Sequence, residues 1–383
     1  MWRNPADQNS YHINIVDTPG HADFGGEVER VLSMVDGVAL VVDATDGPMT
    51  QTKFVLSKAL KMGLRPIVVI NKVDRPTARV GEVENEIFDL FVNLQATEEQ
   101  MDFPIVYACA KEGWSTLEPK KVGTDMNPLF QSVVSHVRPP PLDRSAPFSV
   151  AVTQIESDQF LGKLLLGRIK SGSVKVGDKL IALDGDGKKL EEVKCMKILA
   201  RRGLEQVQVP TASAGDIVSL AGFSIATVNS TLCDPAVTTP LAFTPVDPPT
   251  LSMSFGVNTS PFAGKDAPAG AQLTSSMIQD RLRKEAETNV SMQILESANK
   301  ESFEVRGRGE LQLGILIETM RREGYELSVS APRVVMKKDE TTGEQLEPLE
   351  EVVIDVGQED TGKVIEKMSS RKGQLSVIFT QIE

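Results

Sequence analysis

The sequence is poor in cysteine and in aromatic residues. Its three cysteines, Cys109, Cys195 and Cys233, lie far apart in the 383 residues and lack the spacing of metal ligands. An odd number of scattered cysteines argues against a disulfide framework, so we expect reduced thiols in an intracellular protein. Aromatic residues make up only 5% of the chain, but 40% is hydrophobic, which allows sizeable cores.

Long apolar runs and a surplus of basic charge are also missing. No apolar run approaches the roughly 20 residues that span a bilayer, so we expect no membrane-spanning helix. Acidic residues outnumber basic residues by 53 to 41, which gives a formal charge of −12. A chain this acidic is a poor general binder of nucleic acid, so any contact with RNA must come from local basic clusters. Residues 1–8 resemble neither a secretory signal nor an Arg-rich transit peptide.

Residues 11–137 are typical of a parallel sheet covered by helices on both faces, because near-continuous apolar strands alternate with amphipathic helices. Strands are predicted at residues 11–17, 37–43, 66–70 and 104–108. Asp17, Asn71 and Cys109 lie at the carboxyl ends of three of these strands. Ligands of parallel sheets bind at such ends, so a site is expected there.

The texture of the sequence changes at two proline-rich joints, residues 138–143 and 245–249. Between the joints, short strands and regular Gly-Asp turns indicate an antiparallel barrel. Residues 250–335 follow the order strand, helix, strand, strand, helix, strand, which is the ferredoxin-like pattern. A strand at 352–356 and a helix near 363–368 are predicted to begin a further domain.

The tetrapeptide Asn71-Lys72-Val73-Asp74 follows an apolar strand and suits recognition of guanine. The Asp74 carboxylate can accept two charge-assisted hydrogen bonds, from the N1 and N2 donors of the base. Asn71 would tie the loop and approach the base edge, and the aliphatic stem of Lys72 would cover one ring face. The guanine carbonyl would meet backbone N–H groups of Cys109, Ala110 and Lys111. The alternative is an ordinary solvent turn, since a motif this short also arises by chance.

The pentapeptide Asp17-Thr18-Pro19-Gly20-His21 suits the phosphate end of the same ligand. Asp17 is a candidate to hold Mg²⁺ through water, because hard oxygen ligands suit this ion. Gly20 lets its backbone N–H approach a terminal phosphate oxygen. His21 would orient the attacking water and is the candidate catalytic residue. The alternative for His21 is a histidine without a catalytic role.

One part of such a site is missing from the sequence. No G-x-x-x-x-G-K-[ST] motif, which would cradle the phosphates, is found in the 383 residues. We expect it upstream of the strand at 11–17, together with the first switch loop. The chain is therefore expected to be incomplete, and to bind GTP weakly or not at all.

The motifs resemble a known family. Residues 17–24 resemble the translational GTPases, the class of elongation factors G and Tu, and residues 24–32 are similar to the TypA/BipA ribosome-associated GTPases. Barrel motifs resemble domain II of translation factors, at 160–162, 167–169, 172 and 177–178. Motifs of the third domain again resemble TypA/BipA, at 257–262, 307–311 and 318–326.

The resemblance implies a multi-domain α/β translation factor. It predicts a partial P-loop-type GTP-binding domain at 1–141, a β-barrel domain II at 146–246, a ferredoxin-like domain III at 250–335 and an incomplete C-terminal α+β domain at 346–383. The implied ligands are GTP or GDP with Mg²⁺, and the implied reaction is hydrolysis of GTP stimulated by the ribosome. The implied roles are in translation, ribosome assembly and stress adaptation.

The resemblance also implies a monomer that contacts ribosomal RNA at the factor-binding site between the subunits, and no membrane partner. Candidate RNA contacts are Lys194, Lys197, Arg201, Arg202, Arg306 and Arg308, for which a solvated charged face is the alternative. The implied location is the cytoplasm, on ribosomes, with a plastid or mitochondrion as the alternative if a transit peptide precedes residue 1.

Several residues depart from the family pattern. Gln312 stands where the family usually has histidine, Cys109 stands where it usually has serine, and residues 376–383 do not continue the pattern. Two other hypotheses stay open: a non-catalytic fragment that binds the ribosome or RNA, and a GTPase subunit of a metabolic system such as sulfate activation. The motifs of the third domain argue against the metabolic subunit.

Overall fold

The computed structural model describes residues 1–18, 25–158, 160–243, 248–265, 274–289, 291–296, 302–339, 343–349, 352, 354 and 356–377. The chain packs as two units, Met1–Arg333 and Val334–Glu383. None of the described helices is long and apolar enough to cross a membrane. The three cysteines are buried and free, as their spacing predicts.

The first part of the larger unit contains the segment predicted to bind a nucleotide, and it is called the nucleotide-binding module below. Its elements are β1 (Trp2–Arg3), β2 (Ser10–Tyr11), α1 (Gly25–Leu32), β3 (Gly37–Asp43), α2 (Thr50–Lys61), β4 (Arg65–Asn71), α3 (Val80–Asn93), α4 (Glu98–Met101), β5 (Ile105–Cys109), β6 (Trp114–Thr116) and α5 (Asn127–His136). The main sheet has the order β3-β4-β5-β6. Its first three strands are parallel, as predicted, and β6 adds an antiparallel edge.

Alternation along the strands builds two cores, one on each face of the sheet. Val68 and Ile70 face a cluster that includes Ile87 and Phe91 of α3. Ile67 and Val69 face the opposite side, where the apolar residues of α5 pack. Both faces of β4 are therefore dry, which explains why its sequence is a continuous apolar run.

The prediction of a strand at residues 11–17 is wrong. Only Ser10–Tyr11 is a strand, paired with Trp2–Arg3 in a small hairpin, and residues 12–18 belong to no strand. The hairpin is held to α5, because Trp2 Nε1 donates to Asn127 Oδ1 at 2.8 Å. An apolar run becomes a strand only if a neighbouring strand bonds its backbone, and no described strand offers residues 12–18 that partner.

The outer side of β3 is open among the described residues. Val41, Val69 and Val106 are neighbours in one row across β3, β4 and β5. Their exposed fractions are 58%, 5% and 0%. The helix layer that covers β4 and β5 on this face therefore does not reach β3. Parallel sheets are normally covered on both faces, so this edge is unusual.

The second part of the larger unit is antiparallel. Its strands are β7 (Ser149–Ala151), β8 (Gln154–Asp158), β9 (Gly162–Ser171), β10 (Ser173–Lys175), β11 (Lys179–Leu183), β12 (Lys189–Lys194), β13 (Lys197–Arg202), β14 (Glu205–Val209), β15 (Thr211–Ser213), β16 (Ile217–Ala221) and β17 (Thr231–Cys233). Nine of them form the order β12-β11-β17-β7-β9-β16-β13-β14, with β8 on β9. One apolar core serves them all, as expected for a barrel.

A surface loop of the barrel is organised by one carboxylate. Glu191 on β12 accepts backbone N–H groups of Ser224, Ile225 and Ala226, at 3.1, 2.8 and 2.6 Å. These amides lie in a segment without regular structure, so they have no ladder partner. The carboxylate supplies the acceptors that the fold does not.

The third part has the ferredoxin-like order predicted from the sequence. Its elements are β18 (Leu251–Val257), α6 (Ser275–Thr288), β19 (Gln293–Glu296), β20 (Ser302–Gly307), α7 (Glu310–Arg322) and β21 (Leu327–Val329), and a short β22 (Arg333–Val334) follows. The sheet order is β19-β20-β18-β21. Helices α6 and α7 pack on one core with Phe255, Phe303 and Val305.

Gln312 is a buried polar residue of this third part. Its Oε1 accepts the Arg308 N–H at 2.9 Å, and its Nε2 donates to Ser291 Oγ at 2.7 Å. Both ends of the amide are therefore used. The side chain joins the loop before β19 to the start of α7.

The smaller unit contains β23 (Lys337–Lys338), β24 (Gln345–Leu346) and α8 (Thr361–Ser370). Helix α8 contains the predicted helical segment. The strand predicted at 352–356 is not found: Val352, Ile354 and Val356 belong to no strand, and residues 351, 353 and 355 lie outside the described residues. These three side chains are exposed, so no packing favours a strand there.

Candidate nucleotide-binding site

Three strands of the parallel sheet end at one edge. Asp43 of β3 is opposite Asn71 of β4, which is opposite Ala108 of β5. The turns that follow β4 and β5 therefore start side by side. Asn71 and Cys109 lie at carboxyl ends, as the sequence predicts, whereas Asp17 does not, because residues 12–18 are not a strand.

Asn71 ties two turns together. Its Oδ1 accepts the Ala110 N–H at 3.0 Å, and the Val73 N–H reaches the Ala108 carbonyl at 3.4 Å. The Asn71 side chain therefore joins the end of β4 to the turn that follows β5. The Ala110 N–H, which was expected to meet the guanine carbonyl, is bonded to Asn71 instead.

Lys72 adopts a strained backbone and a fixed side chain. Its φ is +65°, a region that costs an L-residue about 1–2 kcal/mol. Its Nζ donates to Asp43 Oδ2 at 2.5 Å, and Arg75 Nη1 lies 3.6 Å from the same oxygen. The Lys72 hydrogen bond, followed by one from the Thr45 N–H, lowers the pKa of Asp43. The head group of Lys72 is therefore anchored, and its stem is held beside the turn.

Asp74 is exposed at the end of the turn and lies beside Cys109. The Cys109 side chain is buried, and its burial, followed by a hydrogen bond with Asp74, raises the pKa of the thiol. The Cys109 thiol therefore lies close to the Asp74 carboxylate, and the two turns approach each other at this point. Lys111 is exposed in the second of these turns.

Arg79 holds the loop that follows β3. Its Nε donates to the Thr45 carbonyl at 2.8 Å and its Nη2 to the Asp46 carbonyl at 3.2 Å. The same guanidinium pairs with Glu86 of α3. The sequence motifs identified neither Arg79 nor Asp43. The available signal for Asp43 was a carboxylate at the end of an apolar run, the same signal that pointed to Asp17.

The phosphate end of the site is only partly described. Asp17 is exposed, and its Oδ1 accepts the Thr18 N–H at 3.0 Å. Gly20 and His21 lie outside the described residues. In the part of the chain that is described, no three His, Cys, Asp or Glu side chains group as metal ligands. A single exposed carboxylate fits an ion held through water, which is the role expected of Asp17.

The six predicted RNA contacts lie in two parts of the chain, four in the barrel and two at β20 and the residues before α7. Lys194 and Lys197 flank the turn between β12 and β13, whereas Arg201 and Arg202 end β13. Two of the six pair with acidic neighbours, Arg201 with Glu156 at 3.0 Å and Arg306 with Glu304 at 2.8 Å. Arg308 precedes α7, and its Nη1 would lie 3.8 Å from a Cβ added to Gly25 of α1.

Two family models match the chain. The elongation factor Tu GTP binding domain matches residues 4–139, and elongation factor Tu domain 2 matches residues 162–233. A relative from Escherichia coli (strain K12) is 50% identical over 367 residues, which are 96% of this chain and 60% of the relative. A relative from Synechocystis is 46% identical over 370 residues, 97% of this chain and 61% of the relative. Both are named large ribosomal subunit assembly factor BipA.

The chain belongs to the TypA/BipA family of translational GTPases. A third family member, from Haemophilus influenzae, is 49% identical over 96% of this chain. The chain spans about 60% of the length of these relatives. The resemblance inferred from residues 17–32 and from the barrel motifs is therefore confirmed.

Proposed function

We propose that this TypA/BipA chain carries the base-recognition part of a guanine-nucleotide site and acts on ribosomes, in translation or in assembly of the large subunit. The observation that carries the proposal is the meeting of the turns at 71–74 and 109–111 beside Asp43. The relatives named as ribosomal assembly factors support the ribosomal role.

In this proposal Asp74 accepts the two guanine donors, and the Cys109 thiol helps to orient its carboxylate. Asn71 keeps the two turns in register, and Lys72, anchored on Asp43, lays its stem along the base. Asp17 holds Mg²⁺ through water, and Gly20 and His21 serve the terminal phosphate and the attacking water. The metal would supply charge stabilisation at the phosphates when bound.

We propose that the affinity of this polypeptide for GTP is low. Phosphate loops provide most of the charged contacts to a nucleotide, and no such motif is present in the sequence. Base contacts alone should give a Kd of about 1 mM, which corresponds to about −4 kcal/mol. GTP and guanosine should therefore bind with similar affinity, and hydrolysis by this chain should be slow or absent.

A base-exchange experiment tests the guanine site. Asparagine at position 74 would present one acceptor and one donor, which matches xanthine rather than guanine. In saturation-transfer NMR we expect the unsubstituted chain to select guanosine over xanthosine, and Asp74→Asn to reverse the selection. Asp46→Asn, on the loop after β3, is the matched control. Equal binding of both nucleosides by unsubstituted and Asp74→Asn chains would disprove the proposed site.

The second candidate function is a non-catalytic ribosome-binding protein, favoured by the missing phosphate-loop motif. We propose a monomer in the cytoplasm that contacts ribosomal RNA through local basic residues such as Lys194 and Lys197. Co-sedimentation with 70S ribosomes or 50S subunits tests this role and should weaken as salt rises. Failure to co-sediment at low salt, with or without GTP, would favour the metabolic GTPase instead.

A further inference from the structure

A buried arginine of the barrel holds the chain just after α1. Arg168 lies on β9, and its side chain is only 8% exposed. Its Nη1 donates to the Met34 carbonyl at 2.9 Å and to Asp36 Oδ1 at 2.8 Å. The guanidinium thus bonds residues that are 134 and 132 positions away in sequence and belong to the nucleotide-binding module.

Apolar contacts surround this ion pair. Val31 and Met34 pack against Leu166 of the barrel, with Val16 and Ile217 at the margin of the same cluster. Val16 immediately precedes Asp17, and Val31 belongs to α1. Residues on both sides of segment 17–24, which contains the D-x-x-G-H motif, therefore belong to one apolar cluster with Leu166 of the barrel.

The chemistry of Arg168 argues for a role beyond folding of the barrel. Burying a guanidinium is costly, and its Nε has no hydrogen-bond partner. Buried ion pairs are often replaceable by apolar residues without loss of stability, so packing alone does not require an arginine here. The guanidinium instead bonds the Met34 carbonyl, two residues after α1 ends, and so joins the end of that helix to β9.

We propose that Arg168 is a positioning residue for the nucleotide site, because it fixes α1 against the barrel. The inference rests on the proposed function for the identity of the ligand. Its consequence is directional: a partner that moves the barrel also moves α1 and Val16, the residue before Asp17. The base-recognition turn at 71–74 makes none of these contacts and stays in place.

Hydrogen exchange of the full chain, without nucleotide, tests the proposal. Arg168→Met should speed exchange of the amides at 25–36 by about tenfold, because it removes two charge-assisted hydrogen bonds. Exchange in β4 and β11 should not change. Arg168→Lys, which keeps the charge but loses the planar fork of the guanidinium, should be intermediate. Arg201→Met is the matched control, because Arg201 lies in the same barrel but is exposed, and its guanidinium pairs with Glu156 of β8 in that barrel.

Two results would overturn the proposal. The first is unchanged exchange at 25–36 in Arg168→Met, and the second is an equal rise throughout the barrel, which would mark a merely structural role. A double variant adds a further criterion. Exchange of the amides at 25–36 should be as fast in Asp36→Asn/Arg168→Met as in Arg168→Met alone. Additive effects of the two substitutions on the exchange rate would contradict the contact. The exchange measurement uses no nucleotide, so its outcome does not depend on guanosine binding. Absence of guanosine binding would therefore contradict the proposed function and not the role of Arg168.

Discussion

The valine row across the parallel sheet offers a sharp test of how the sheet is covered. Threonine has the shape of valine but replaces a methyl group by a hydroxyl. At Val69 and Val106, both buried, the change loses about 0.8 kcal/mol of apolar transfer energy. It also desolvates a hydroxyl, at about 1–3 kcal/mol. We therefore expect Val69→Thr and Val106→Thr each to lower the free energy of unfolding by about 2–4 kcal/mol.

Val41 should behave differently, although it lies in the same row. Because its side chain is mostly exposed, its hydroxyl stays hydrated, and Val41→Thr should change the free energy of unfolding by less than about 0.5 kcal/mol. The three variants have the same substitution in the same sheet, and they differ in whether helices pack over the substituted side chain. The three variants therefore measure where the helix layer ends.

Tryptophan fluorescence during urea unfolding is a suitable assay. The chain has two tryptophans, Trp2 in β1 and Trp114 in β6, so the signal reports on the nucleotide-binding module alone. As a control for association between chains, the urea midpoint of each variant should stay the same over a tenfold range of protein concentration, as it does for a monomer. A loss in Val41→Thr as large as that in Val69→Thr would show that β3 is covered in solution, and would refute the open-edge description.

Further outcomes follow from other contacts. Val41→Lys should lower light scattering on storage, because a charged edge strand resists pairing with another chain. Arg79→Lys keeps the charge near Glu86 but loses the fork that bonds two loop carbonyls, so amide exchange at 44–47 should rise and stability fall by about 1 kcal/mol. Glu191→Ala should expose the amides at 224–226 to exchange and destabilise the barrel by about 2 kcal/mol. The folded-state pKa of Asp43 is lowered below its usual value of 3.8, so its contribution is complete at neutral pH and is lost as pH falls through the lowered value. Asp43→Asn should therefore remove this part of the loss of stability as pH falls from about 3.8 towards the lowered value, as measured by the same fluorescence assay.

The sequence was informative wherever local pattern and tertiary environment agreed. The apolar runs at 37–43 and 66–70 are strands because each has a neighbour and a helix layer, and β4 is dry on both faces. The run at 11–17 carries the same pattern, but pairing decides strand formation, and pairing depends on a partner that local pattern does not reveal. The short strand β6 was missed because three residues carry too little periodicity.

The candidate site shows the same division. The proximity of Asn71 and Cys109 followed from the rule that carboxyl ends of parallel strands share an edge. Arg79 was missed because it bonds backbone carbonyls of a nearby loop, which no side-chain motif encodes. Asp43 was missed although it closes an apolar strand, because its partner Lys72 lies 29 residues away in sequence. The contact of Arg168 with Met34 and Asp36 joins two distant segments, so only the three-dimensional packing reveals it.

The amide at position 312 has a consequence for acid tolerance. A neutral imidazole there could accept the Arg308 N–H, but a protonated one would carry two donors and could accept nothing. Glutamine gains no proton, so the joint between the loop before β19 and the start of α7 should keep its bonding in mildly acidic surroundings. A histidine at this place would forfeit that bond near its usual pKa of about 6.5.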